Sequence, residues 1–243
     1  MRKIAISDIH GCLNTFKALL DQLGLTKTDE LYLLGDYVDR GPDSKGVLDL
    51  ILQLRKEGYK VRCLLGNHED MMVRSMTSFD ELDMWLLNGG NPTLESFGVS
   101  YVEDVPQAYI DFINEMEYCI EVDEYLLVHA GINFIPPNPK SGQGDFLFRI
   151  FDPLQDRKSL LWIRDWHQDI DKEWLGERIV VHGHTPLLKS EILQMHRDIE
   201  KKQVLDIDNG GFVTFQQGMG QLCAFDRTNR ELYFQKNTEP RFT

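Results

Sequence analysis

The chain has 243 residues, which suits one large domain or two small ones, and 42% of them are hydrophobic, enough for a sizeable core and too many for a disordered chain. A formal net charge of −13 argues against general nucleic-acid binding, because a phosphate backbone would be repelled. It also requires that any anionic ligand meet a locally positive site. Met1-Arg2-Lys3 leads into only a short apolar run, so no secretory leader is expected. No apolar run approaches the roughly 20 residues of a membrane helix. The cysteines Cys12, Cys63, Cys119 and Cys223 form no CxxC pair, and a cytoplasmic location with reduced thiols is expected.

In chain order, Lys3 to Ser7 reads as a short buried strand, interrupted by Asp8-Ile9-His10-Gly11. Asn14 is placed to cap a helix with Phe16, Leu19, Leu20 and Leu23 on one face, and Gly24 to end it. Leu31 to Leu34 is a second strand, followed by the polar loop Gly35 to Asp43. A helix with Val47, Leu48, Ile51 and Leu54 turned inward comes next. Lys60 to Leu65 is a third strand, followed by Gly66-Asn67-His68-Glu69. Residues 70 to 117 read as mostly helical, with Tyr109, Phe112, Ile113 and Met116 on one face. Strands follow at Cys119 to Val122 and Tyr125 to His129. Ile135 to Gly144, rich in proline and glycine, reads as irregular and bordering the site. Later strands are expected at Arg178 to His182, Gln203 to Asp208, Leu222 to Phe225 and Glu231 to Gln235. Repeated strand, polar loop and helix predict an α/β sheet with parallel connections, whose ligands gather at the carboxyl ends of the strands.

Asp8, His10, Asp36, Asp39, Asn67 and His68 all fall just after predicted strands, as do His129 and His184. A lone Asp-x-His is weak evidence for a metal. Five loops carrying Asp, His and Asn in this order are strong evidence. The mixed oxygen and nitrogen donors suit manganese, iron or zinc better than calcium or magnesium, and the absence of thiolates at these positions argues against a structural zinc site.

The series Asp-x-His-Gly, Gly-Asp-x-Val-Asp-Arg-Gly, Gly-Asn-His-Glu, His-x-Gly and Gly-His-Thr-Pro resembles the phosphoprotein phosphatase family of calcineurin-like metallophosphoesterases, and within it the bacterial and phage-lambda-type serine/threonine phosphatases. Met71-Met72, Trp85, Asn88-Gly89-Gly90, Leu160 to Arg164 and Asp206 to Gly210 extend the likeness from Lys3 to about Phe225. The resemblance implies one catalytic domain over 1–243, a four-layer α/β/β/α sandwich with a dimetal site at the carboxyl ends of its strands, and a helical insertion at 71–117 beside that site. It implies two divalent ions, manganese first, with iron or zinc compatible. Asp8, His10 and Asp36 would hold one ion; Asp36, Asn67, His129 and His184 would hold the other. His182 is not a ligand in this pattern, and Pro186 stands where other phosphoesterases add a further histidine.

The implied reaction is in-line attack of a metal-bridging hydroxide on phosphorus. Two divalent ions, less Asp8, Asp36 and the hydroxide, leave about one positive charge, which offsets the acidic background. Arg40 and Arg164, with Asn67, would bind the phosphoryl oxygens. His68, oriented by Asp39, would protonate the leaving group. The leading expectation is a serine/threonine protein phosphatase acting on phosphoproteins or small phosphoesters. The alternative is hydrolysis of dinucleoside polyphosphates such as diadenosine tetraphosphate; Asp39 and Glu69 lean towards the former. A non-catalytic scaffold is disfavoured because every expected position is filled. Neither nucleic acid nor membrane is an expected partner, and the sequence specifies no oligomeric state. Trp85, Trp162, Trp166 and Trp174 are read as packing residues, Cys12 as a small buried residue, and Arg197 to Lys202 as a solvated hairpin or helix face.

Overall fold

The computed structural model describes residues 1–135 and 151–240. From residue 136 on, the segment expected to be irregular lies outside the described residues.

Three short strands, β1 (Lys3–Ile6), β2 (Glu30–Leu33) and β3 (Lys60–Cys63), pair in parallel. Their sheet is completed by antiparallel β8 (Gln221–Asp226) and β9 (Glu231–Lys236), in the order β3-β2-β1-β8-β9. A second sheet has the order β4-β5-β6-β7, from β4 (Cys119–Val122), β5 (Tyr125–Val128), β6 (Ile179–His182) and β7 (Val204–Asp206).

Side chains alternate across a strand, and the two cores follow that period. Ile4, Ile6, Leu31 and Leu33 pack with Phe16, Leu19, Val47, Leu48 and Ile51 of the helices α1 (Leu13–Leu23) and α2 (Ser44–Lys56). The intervening Ala5, Tyr32 and Leu34 belong instead to the core shared with Leu126, Leu127, Val180 and Val181 of the second sheet. Ile192 and Met195 of a later helix over residues 189–197 join that core. The result is the expected α/β/β/α layering.

Helix α1 departs from its expected start. Cys12, not Asn14, is the N-terminal boundary residue, and it offers no side-chain cap. The reason is a distant carboxylate: Glu239 Oε1 accepts the Thr15 backbone N–H at 2.9 Å, satisfying a donor that a local cap would have served. The expected end holds, since Gly24 adopts the left-handed conformation (φ 54°) and donates to Asp21 O and Leu20 O. Asp43 caps α2 by accepting Gly46 N–H.

The region from Asn67 to Asn114 is helical, as expected: α3 (Asn67–Arg74), α4 (Phe79–Leu87), α5 (Asn91–Phe97) and α6 (Gln107–Asn114). After the undescribed segment come α7 (Arg157–Trp162), α8 (Lys172–Leu175), α9 (Lys189–Arg197) and α10 (Ile199–Lys202), so the basic stretch at 197–202 is helical and not a hairpin. Among the described residues, no helix is long and apolar enough to cross a membrane.

Candidate metal centre

The loops after β1, β2, β3, β5 and β6 converge. Turning so many side chains into one place demands unusual backbone. Of ten non-glycine residues with positive φ among the described residues, six are here: Asp8, His10, Asp36, Asp39, Arg40 and His184, with φ from 45° to 74°. Each such residue costs of order 1 kcal/mol or more, and such conformations concentrate at functional sites. Close approach is also built in at Gly183, where a Cβ would collide with Ser7 Oγ and Asp8 Oδ2.

Asp36 sits at the centre, 2% exposed. Its Oδ1 lies 3.4 Å from His129 Nε2. Its Oδ2 lies 3.5 Å from His10 Nε2 and 4.0 Å from His68 Nε2. Two clusters with metal-ligand spacing therefore share this one carboxylate: His10, Asp36 and His68 on one side, and Asp36, His129 and His184 on the other. Asn67 joins the second, its Oδ1 2.9 Å from both His129 Nε2 and His184 Nδ1.

The tautomers fit a cation. His10 Nδ1 faces Val38 O and His129 Nδ1 faces Leu34 O, both at 2.9 Å. Each Nδ1 must therefore carry the proton, which leaves Nε2 with a lone pair aimed at Asp36. A backbone carbonyl orienting a ligating imidazole is the usual outer support of a metal site. Charge agrees. Burial lowers the pKa values of His10 and His129, and burial followed by His129 brings His184 down to about 3. Burial opposes ionisation of Asp36, but His129, His68, His10 and His184 overcome it and hold its carboxyl well below the usual range. Neutral imidazoles around an anionic carboxylate are the forms a divalent ion binds. On its imidazole, amide and Asp36 donors, the chain fits the metal pair that its fold implies.

Asp8 lies within this convergence but outside both clusters. Its carboxylate accepts from Ser7 Oγ and from the His184 backbone N–H. Burial, then Asp208 and Asp36, raises its pKa well above the carboxylate range.

His68 and Asp39 meet as expected. His68 Nδ1 donates to Asp39 Oδ2 at 2.7 Å, leaving Nε2 towards the Asp36 side. Burial alone would lower this imidazole, but Asp36 and then Asp39 raise it. Arg40 Nη1 faces His10 Nε2 at 2.9 Å, and its guanidinium lies 4.6 Å from the Phe212 ring centre. Arg164 lines a cavity that begins beside Thr185, and its charge contributes to lowering His184.

Several contacts of the site escaped sequence reasoning. Trp85 is core, as read, yet its Nε1 also donates to Asp39 Oδ2 at 2.9 Å. Thr93 Oγ1 donates to Asp39 Oδ1 at 2.7 Å. Nothing in the sequence marks Thr93, 54 residues from its partner. Glu69 is fully buried and accepts the backbone N–H groups of Asp36, Tyr37, Val38 and Gly66. It thereby ties the β2 loop to the β3 loop. Burial and Asp36 push its carboxyl up to about 8, against those backbone donors. Its place at the third position of α3, where a carboxylate reaches back to backbone donors, was the available signal.

The fold and the paired His/Asp clusters are those of a metallophosphoesterase domain. Residues 1–213 match the calcineurin-like phosphoesterase family, and the chain belongs to it. It is similar to the symmetrical bis(5'-nucleosyl)-tetraphosphatase of Nitrosomonas europaea, 34% identical over 134 residues, covering 54% of this chain and 45% of that protein. It is also similar to bis(5'-nucleosyl)-tetraphosphatase PrpE, asymmetrical, of Oceanobacillus iheyensis, 25% identical over 201 residues, covering 77% and 78%. The chain spans about half the length of the curated symmetrical relatives it matches. Its fold is similar to that of a protein serine/threonine phosphatase from Saccharomyces cerevisiae, with a TM-score of 0.64 at 15% identity, covering 99% of this chain and 81% of the other.

Proposed function

We propose that the chain hydrolyses dinucleoside polyphosphates at this centre. The hydrolytic part of the reading rests on one observation: Asp36 presents one oxygen to His129 and the other to His10 and His68. For the substrate, similarity to tetraphosphatases over as much as 77% of the chain favours the dinucleoside alternative over the phosphoprotein. The lean that Glu69 gave towards protein phosphatases loses force, because this carboxylate is buried on backbone donors and cannot read a substrate.

Asp8, His10 and Asp36 would hold one cation; Asp36, Asn67, His129 and His184 would hold the other, manganese being the expected ion and iron or zinc compatible. Such a pair, when bound, supplies Lewis acidity towards phosphoryl oxygens and makes water nucleophilic near neutral pH. Arg164 and Arg40 supply forked donors to the phosphoryl oxygens, Arg40 turning from His10 to do so. His68, as the imidazolium that Asp36 and Asp39 favour, would donate its Nε2 proton to the departing oxygen while its Nδ1–H stays on Asp39.

One observation favours a second reading, a serine/threonine phosphatase. The His68–Asp39 pair is complete and braced by Trp85 and Thr93. An alkoxide leaving group needs such an acid more than a nucleotide does. Side-by-side kcat/KM on diadenosine tetraphosphate and a phosphoserine peptide tests the choice. A ratio favouring the dinucleotide by tenfold or more is expected. A ratio favouring the peptide overturns the substrate assignment.

A further inference from the structure

Arg40 is held at the metal centre without a carboxylate. Its backbone N–H donates to Gly89 O at 3.0 Å. Its stem passes the same glycine, where a Cβ would stand 3.0 Å from Arg40 Cγ. Its guanidinium carbon lies over the Phe212 ring, 4.6 Å from the ring centre, and Nη1 faces His10 Nε2. Among the described residues, no carboxylate oxygen comes within the 4.0 Å of an ion pair with this guanidinium.

The ring that faces Arg40 is itself fixed. Phe212 lies in a tight turn that Val213 N–H closes onto Gly210 O at 2.7 Å. Asp208 Oδ1 accepts Gly210 N–H at 2.7 Å, and Asn237 Nδ2 donates to Gly211 O at 2.8 Å. The loop is thus tied down on both sides of the turn. From it the Phe212 ring also meets the His10 imidazole edge-on, centres 4.9 Å apart and planes at 82°. Phe212 is half-buried, as is Arg40.

The choice of partner matters for an arginine that is to meet an anion. A carboxylate would hold the guanidinium firmly but would cancel the charge and occupy the fork that phosphoryl oxygens need. An aromatic face attracts the cation through its quadrupole and leaves the net charge in place. It also takes none of the five N–H donors, which lie in the guanidinium plane.

We infer that Phe212 is a positioning residue for phosphate recognition. Its ring carries the Arg40 guanidinium at the edge of the metal centre and keeps hold of it as the fork turns from His10 towards phosphoryl oxygens. This rests on the reading that Arg40 binds the phosphoryl group, and it applies to a dinucleotide and a phosphopeptide alike.

The test uses the full chain loaded with manganese and measures binding of inorganic phosphate by calorimetry. Four variants are compared, with melting curves to confirm folding: Arg40→Ala; Phe212→Leu, which removes the ring and keeps most of the bulk; Phe212→Tyr, which keeps the ring; and the double variant Phe212→Leu/Arg40→Ala. The phosphate Kd is expected to rise about tenfold or more in Arg40→Ala and about fivefold in Phe212→Leu, and to stay within about twofold in Phe212→Tyr. In the Arg40→Ala background, Phe212→Leu should add nothing, because the ring acts through the guanidinium that is gone. The manganese Kd of Phe212→Leu should stay within about twofold of wild type. If Arg40→Ala weakens phosphate binding and Phe212→Leu does not, the Phe212 assignment is overturned and Arg40 keeps its role. The assignment also falls if the leucine loss persists without Arg40, if tyrosine loses as much as leucine, or if manganese binding weakens in step, since the residue would then act through His10 or the loop. If Arg40→Ala leaves phosphate binding unchanged, the reading of Arg40 fails and the assignment fails with it.

Discussion

The two sheets contribute unequal halves to the site. On the first sheet, the loops after β1, β2 and β3 are fixed by the protein itself: Glu69 draws in four backbone N–H groups, and Asp39 is held by His68, Trp85 and Thr93. On the second sheet, His129 and His184 lean on Asn67 and on one another, and the buried His184 Nε2 has no partner among the described residues. Asp206 and Asp208, also from the second sheet, are buried carboxylates whose pKa values burial raises, Asp208 to about 7. The lesson is that the acid–base and loop-holding parts are pre-organised without a cation, whereas the second half is set up to be completed by one.

The largest effect should come from Asp36→Asn, which removes the residue common to both halves. Loss of more than ~100-fold in metal affinity is expected, together with nearly all turnover. Retention of activity within tenfold would break the shared-carboxylate picture.

Next comes His68→Asn, confined to the first half. A loss of ~100- to 10,000-fold is expected, larger on an alkyl phosphate than on phenyl phosphate, with metal content unchanged. Equal losses on the two esters would remove His68 from the acid role. Thr93→Val should give a smaller loss on the alkyl ester, because Asp39 keeps Trp85 and His68.

Glu69→Ala tests whether the first half is built by backbone clamping. Leaving buried N–H donors unsatisfied should cost ~3 kcal/mol or more, visible in chemical denaturation. A cost below ~1 kcal/mol would mean that water or relaxation replaces the clamp.

The smallest effect lies outside both halves and serves as a control. Asp29, 4% exposed, accepts from Arg2 N and Nη2 and from Thr26, and the Arg2 bond above all holds its carboxyl below the ordinary value. Because its folded pKa is depressed, its contribution is complete above about pH 4 and is lost as pH falls through the folded value. Asp29→Asn should therefore cost ~1–3 kcal/mol at pH 7, with the gap to wild type closing in acid and no change in metal binding. A gap that widened on acidification would contradict the sign.

Much of this was legible in the sequence because strands β1 to β3 each end in a short polar signature within a few residues of the chemistry. Asp36, His68 and Asp39 lie on such loops, and the period-two burial of Ile4, Ala5 and Ile6 set the layering. What was not legible depends on distance. Glu239 capping α1 from a distant part of the chain and Thr93 reaching Asp39 are products of tertiary placement, which no local pattern encodes. The lean that Asp39 and Glu69 gave towards protein phosphatases rested on residue identity, and in the fold the Glu69 side chain points to backbone donors.

The most direct test is anomalous diffraction from crystals grown with manganese. The account predicts two peaks on opposite sides of Asp36, one beside His10 and the other beside His129 and His184. A single peak, or two peaks that do not share Asp36, would contradict it.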